Sequence, residues 1–313
     1  MARKVIIDCD PGIDDAVALS MALFDPRLEV LAVTAVAGNV PAEQANRNVQ
    51  AIIDYLDPPR IPRIGNTGEQ RQGHLVDARH IHGENGLGSV ELPVSSHHQQ
   101  HPAEKVICDL AHTYPEEITM ICLGPLTNLD RAFQREPRLP GLLDQLVIMG
   151  GSVSGIGNVT PAAEFNIYCD PASARTVFRA PVAKTLVPLD VTRQVFFGMD
   201  LLNQLPSEST RAGWLLLQIL PQMFRSYHQL LGQEVINLHD AVTMLAVTEP
   251  ELFEMESMAG DVEVQGELSV GATVFDRRSN RAWQENMDVA CTVDATVAGQ
   301  RIIKSLEKAG ERS

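Results

Sequence analysis

The chain has 313 residues, 44% of them hydrophobic and 21% charged, which is enough apolar material for a sizeable core and unlike a disordered segment. Twenty-five Lys and Arg stand against 40 Asp and Glu, a net charge of −15, which argues against nucleic acid or an anionic membrane surface as the main partner. Five scattered cysteines (Cys9, Cys108, Cys122, Cys169, Cys291) form no C-x-x-C and read as small core hydrophobes in a reducing compartment, not as a zinc site or a disulfide framework.

The N-terminal MARKVIID is no signal peptide, and no run approaches the ~18 uninterrupted apolar residues of a membrane span, so a cytoplasmic location is expected. Val5, Ile6 and Ile7 predict a central strand, which Pro11-Gly12 breaks before a helical stretch from Asp14 to Phe24. Asp8, Asp10, Asp14 and Asp15 crowd four carboxylates into eight positions at that junction. A helix N-terminus offsets less than ~1 kcal/mol per exposed carboxylate, so a hard divalent cation with oxygen ligands is the better compensation. Either Asp14 or Asp15 alone would read as an ordinary helix cap.

A second apolar run, Leu28–Asn39, leads to a helix over 42–55, and Ile61–His101 reads as a long loop or lid over the site. Inside it IHGENGLG puts His82 in a glycine-rich turn whose spacing is not a dinucleotide fingerprint. A helix in HPAEKVICDLAHTY precedes the strand-like ITMICLGPLTN, where a Gly-Pro turn could leave the Leu123 carbonyl free for a cation. LVIMGG and KTLVPLDVT add strands. Between them, Glu164 and Asn166 share a face at i, i+2 with Asn158 just before, a donor and acceptor set suited to vicinal hydroxyls. Asp170-Pro171 reads as a helix start.

Residues Arg193–Asn237 look helical, and INLHDAVTML sets His239 beside Asp240 at a helix start. That pair fits either a metal ligand with a neighbouring acid or an N-cap with a surface histidine. DVEVQGELSVGATVFDRR alternates like a β-hairpin, and a helix over 295–308 closes the chain. Alternating strands and helices predict an α/β fold: a doubly wound, mostly parallel open sheet with flanking helices, an inserted helical or lid region and a C-terminal β-hairpin, as one domain over 1–313. Ligands of such sheets bind beyond the carboxyl ends of the strands, where Asp10, Asn39, the Gly124 turn, Gly150 and Asp190 fall.

DCDPGIDDA, AVAGN, IHGENGLG, GPLTN, VIMGG, NVTPAAEFNIYCDPASA and LHDA, in that order, resemble the inosine–uridine-preferring nucleoside hydrolase family over most of the chain. The resemblance implies a calcium-dependent glycosidase that splits ribonucleosides into base and ribose, a homodimer or homotetramer. It implies that Asp10, Asp15, Asp240 and the Leu123 carbonyl hold Ca²⁺, and that Asp10 takes a proton from the calcium-activated water. Asp14, Asn158, Glu164 and Asn166 would grip the ribose, with Asn39 near the water and His82 and Phe165 lining the pocket. His239 would assist the leaving base. The stretch Met223–Leu238 departs from the family pattern and leaves base preference open, with Tyr227, His228 and Arg225 as candidates. Two alternatives compete: a haloacid-dehalogenase-like phosphatase with Asp8 as nucleophile, and a catalytically silent ribonucleoside binder.

Overall fold

A computed structural model describes residues 2–68, 73–74, 76–95 and 101–313. Among the described residues one sheet has nine strands. They are β1 (Arg3–Cys9), β2 (Leu28–Ala35), β3 (Arg63–Asn66), β4 (His101–Pro102), β5 (Ile118–Cys122), β6 (Gln145–Met149), β7 (Lys184–Val187), β8 (Phe253–Met258) and β11 (Met287–Val293). Their spatial order is β4-β3-β2-β1-β5-β6-β7-β11-β8. All neighbours pair in parallel except β11 and β8. A separate antiparallel pair joins β9 (Gly260–Val262) to β10 (Thr273–Phe275).

The parallel core follows from composition. Val5, Ile6 and Ile7 are all fully buried, as befits a strand covered on both faces. Val5, Ile7 and Cys9 face one apolar layer and Ile6 the other, the period of two that a strand imposes. The first layer is built with α1 (Ile13–Phe24), α2 (Ala42–Leu56), α9 (Arg211–Ser226), α10 (His239–Thr248) and α11 (Ala295–Arg312). The second is built with α4 (Ala103–Thr113), α5 (Thr127–Arg135) and α7 (Pro171–Arg179). The order of strands reverses between β1 and β5, so the crevice beyond their carboxyl ends is the place where an open α/β sheet binds its ligand. Asp10 follows β1 and Leu123 follows β5, which puts both at that crevice.

Most predicted elements are present; KTLVPLDVT is a strand only to Val187 and turns helical over Leu189–Thr192, the 193–237 stretch is helical only in parts, and three further departures concern the sheet. The segment expected to be a loop over Ile61–His101 also contributes β3 and β4 to the sheet edge, and a short helix, α3 (Arg79–His82). Its positions 69–72, 75 and 96–100 lie outside the described residues. RIGN shows no apolar alternation because edge pairing to Ala32–Thr34 is carried by the backbone. Second, β8 and β11 complete the sheet beyond β7, although FEMESM has four exposed positions and reads as polar. Third, the C-terminal hairpin is confined to three residues on each arm. No described helix is long and apolar enough to cross a membrane.

Candidate active site

The D-P-G turn after β1 sets the geometry. The Gly12 amide donates to Asp15 Oδ2 at 2.8 Å, and Asn39 Nδ2 reaches the same oxygen at 3.1 Å. Asp10 Oδ2 accepts the Asn39 amide at 2.7 Å. Its carboxylate is pressed between two glycines: a Cβ at Gly38 would lie 2.1 Å from Oδ2, and one at Gly124 would lie 2.5 Å from Oδ1. The glycines of AVAGN and LGPL are therefore places where backbone must approach a carboxylate closely.

Asp14, Asp15 and Asp240 converge, with one oxygen from each within 4.8 Å of the others. Asp240 arrives from the first turn of α10, far away in sequence. Asp14 Oδ1 and Asp15 Oδ1 are buried and have no hydrogen-bond partner among the described residues. Burial, reinforced by the neighbouring carboxylates, pushes Asp10 and Asp240 well above the usual carboxylate range. Asp14 is raised to about 6 by burial, and Asp15 to about 7 by burial and then by Asp14. Crowded, buried, unpartnered oxygens with no Lys or Arg among them fit a hard cation as their missing partner.

Asp8, the fourth aspartate, is different. It is fully buried, its Oδ1 accepts hydrogen bonds from Thr34 and Asn128 while its Oδ2 has no partner among the described residues, and it belongs neither to the converging trio nor to the cavity lining.

The crevice opens into a cavity of about 800 Å³ lined by Asp10, Asp14 and Asp240 together with Leu123, while Asp15 lies just beneath. Asn39 and His82 form one wall. His82 Nδ1 accepts the Ile13 amide at 3.0 Å, which requires a neutral ring, and burial lowers its pKa to about 3. Its 4.0 Å approach to Asp14 is therefore no ion pair. Asn158, Glu164, Phe165 and Asn166 line the cavity too. Glu164 caps the short helix α6 (Phe165–Cys169) by accepting the Asn166 and Ile167 amides, and it also accepts Gly151 N–H at 3.0 Å. Asn158 Oδ1 accepts the Phe165 amide at 2.8 Å. Asn166 Nδ2 donates to the Leu123 carbonyl at 2.7 Å, leaving its own Oδ1 for a ligand. His239 also lines the cavity, its Nδ1 2.7 Å from Thr192 Oγ1 and its pKa lowered to about 4, chiefly by burial and then by Arg193.

Asp10, Asp14, Asn39, His82, Leu123, Asn158, Glu164, Phe165, Asn166, His239 and Asp240 all line this one cavity, with Asp15 buried beside them. Of the three base-contact candidates, Tyr227 is buried and lines it, whereas Arg225 and His228 are exposed and do not. Asp190 is turned aside: its carboxylate accepts the Val153 and Ser154 amides at 2.7 and 2.9 Å and so holds the loop that carries Asn158. Sequence reasoning missed Arg193, which lines the cavity and donates to the Ile156 and Gly157 carbonyls of that same loop. It also missed Asn237, which lines the cavity and donates to the Val195 carbonyl at 2.8 Å.

The model of the inosine-uridine preferring nucleoside hydrolase family matches residues 5–298. The inosine-uridine preferring nucleoside hydrolase of Crithidia fasciculata is 32% identical over 314 aligned residues, covering 99% of each chain. The non-specific ribonucleoside hydrolase RihC of Salmonella enteritidis is 36% identical over 93% of each chain. Among solved structures, the purine-preferring ribonucleoside hydrolase from Gardnerella vaginalis superposes with a TM-score of 0.92 at 28% identity, covering 99% of this chain and 100% of its own. The chain belongs to the inosine-uridine preferring nucleoside hydrolase family.

Proposed function

We propose that this protein hydrolyses the N-glycosidic bond of ribonucleosides to free base and ribose, with Ca²⁺ as its metal and residues 1–313 acting as one catalytic unit. The observation that carries the reading is the convergence of buried aspartates at the sheet's switch point, with Asp14 Oδ1 and Asp15 Oδ1 unpartnered among the described residues, opening into a cavity lined by Asn158, Glu164 and Asn166. The family resemblance puts the cation on Asp10, Asp15, Asp240 and the Leu123 carbonyl; the carboxylate oxygens that converge are those of Asp14, Asp15 and Asp240, with Asp10 and Leu123 lining the same cavity. When bound, the cation supplies Lewis-acid activation of the attacking water. Asp10, fixed by Asn39 and two glycines, takes the proton of that water.

Asp14, Asn158, Glu164 and Asn166 grip the ribose hydroxyls, and the surrounding carboxylates stabilise positive charge as the C–N bond breaks. Asn39 borders the attacking water, while His82 and Phe165 shape the pocket. His239 stands at the base side. With its pKa held near 4 it is neutral at pH 7, so it assists the leaving base by donating a hydrogen bond.

The phosphatase alternative would need Asp8 as nucleophile, and that residue is fully buried and does not line the cavity. Product analysis separates the readings. Inosine in phosphate-free buffer should give hypoxanthine and free ribose, and Asp10→Asn should lower the rate about 10³-fold or more with the fold intact. Wild-type-like turnover by Asp10→Asn, or phosphate release from phosphomonoesters without ribose release, would contradict the proposal.

A further inference from the structure

The contact between Thr192 and His239 has a chemical consequence beyond packing. Thr192 is fully buried at the end of the short helix α8 (Leu189–Thr192), and its Oγ1 lies 2.7 Å from His239 Nδ1. Among the described residues the hydroxyl makes no other hydrogen bond. The two residues are also held in register by their backbones. Phe197 and Ile236 exchange amide–carbonyl hydrogen bonds at 2.9 Å in both directions, and Asn237 Nδ2 reaches the Val195 carbonyl at 2.8 Å. The segment after Thr192 is thereby strapped to the segment before His239, so the contact is a built feature of the cavity wall.

A buried hydroxyl proton without an acceptor is costly, and Nδ1 is the acceptor within reach. If Thr192 donates, Nδ1 carries the lone pair and Nε2 carries the hydrogen. If instead Nδ1 carried a hydrogen, in the other neutral tautomer or in the imidazolium, it would point that hydrogen at Thr192 and strand the hydroxyl proton. Nε2 has no protein partner among the described residues, and the residue lines the cavity.

We propose that Thr192 is a positioning residue that fixes His239 as its Nε2–H tautomer, presenting a hydrogen-bond donor to the departing base. This rests on the reading of His239 as the donor at the base side. Water oxygen bonds to the anomeric carbon as the C–N bond breaks, the electron pair of that bond goes to the base, and the Nε2–H stabilises the departing base anion by a hydrogen bond without being transferred, the base taking its proton from solvent. Substrates whose leaving group needs no such help gain nothing from the arrangement.

The test compares inosine with p-nitrophenyl riboside in the calcium-loaded enzyme for Thr192→Val, Thr192→Ser, His239→Ala and the double variant Thr192→Val/His239→Ala. Thr192→Val should lower kcat about tenfold or more on inosine and leave the nitrophenyl substrate within about threefold, with Thr192→Ser restoring the rate. In the His239→Ala background the same change should cost nothing further, because the contact it removes is gone. Selective ¹⁵N labelling of histidine should show His239 as the Nε2–H tautomer, giving way to a mixture in Thr192→Val.

Equal losses on both substrates, a further loss in the double variant, or an Nδ1–H tautomer in the wild type would overturn the proposal. An undiminished His239→Ala on inosine would strike down the donor reading itself. A selective loss in His239→Ala without one in Thr192→Val would strike down only the part assigned to Thr192.

Discussion

At the scale of single residues, the crevice is organised by how closely backbone can approach a carboxylate. Asp10 lies between Gly38 and Gly124, and any side chain at Gly38 would displace it. Gly38→Ala should therefore lower kcat by about 10²-fold, since a shift of about 1 Å in a catalytic group costs that much. Steady-state kinetics with a parallel calcium titration would check this, and unchanged kinetics would mean that Asp10 is not held by its glycine neighbours. The same residues show what sequence reading can and cannot reach. The convergence of Asp14, Asp15 and Asp240 was legible because four carboxylates at a strand end demand compensation and because the LHDA motif matches the family. Asp8 was misleading: its two-residue spacing from Asp10 suggested a shared site, and only the partners Thr34 and Asn128 reveal a buried structural role. Arg193 was invisible because its work is done on carbonyl oxygens of a loop, which leave no trace in side-chain pattern.

At the scale of elements, the loop over 152–158 is held by Asp190 through its amides and by Arg193 through its carbonyls. Asn158 in turn accepts the amide of Phe165 and so ties the loop to α6. Asp190→Ala removes two charge-assisted hydrogen bonds from backbone amides, at a cost of about 2 kcal/mol. It should raise KM for nucleosides by about tenfold through loosened ribose contacts, with a smaller effect on kcat. Equal losses in kcat and kcat/KM would place the effect on the chemistry and contradict a loop-holding role. The strands β1, β2, β5, β6 and β7 were legible because apolar runs covered on both faces announce themselves. β3, β4, β8 and β11 were not, since edge and near-edge strands carry charged or mixed residues and owe their pairing to backbone hydrogen bonds.

At the scale of the whole molecule, the buried carboxylates make the metal-free protein's stability depend on pH. Asp14 and Asp15 keep their protons to about 6 and about 7, against 3.8 for an ordinary aspartate. Between those values the folded chain binds more protons than the unfolded one. The stability these groups contribute is therefore full below pH 3.8 and is lost as pH rises through 6 to 7. Calcium should reverse that loss, adding about 2.7 kcal/mol at a hundredfold excess over its Kd, and more near pH 8 than near pH 5 because its ligands must be deprotonated. Thermal unfolding with chelator or with calcium at the two pH values would show it. A calcium-induced rise in Tm that is the same at both would contradict the assignment of these aspartates as its ligands.

The central claim joins the aspartate cluster to ribose release, and one measurement tests both together. Purified protein, with inosine, uridine, cytidine and adenosine in turn, should release reducing sugar without added phosphate. Chelator should abolish that release and calcium should restore it. Ribose release that persists undiminished in chelator would contradict the metal's role, and no release from any nucleoside by the folded, calcium-loaded protein would contradict the hydrolase.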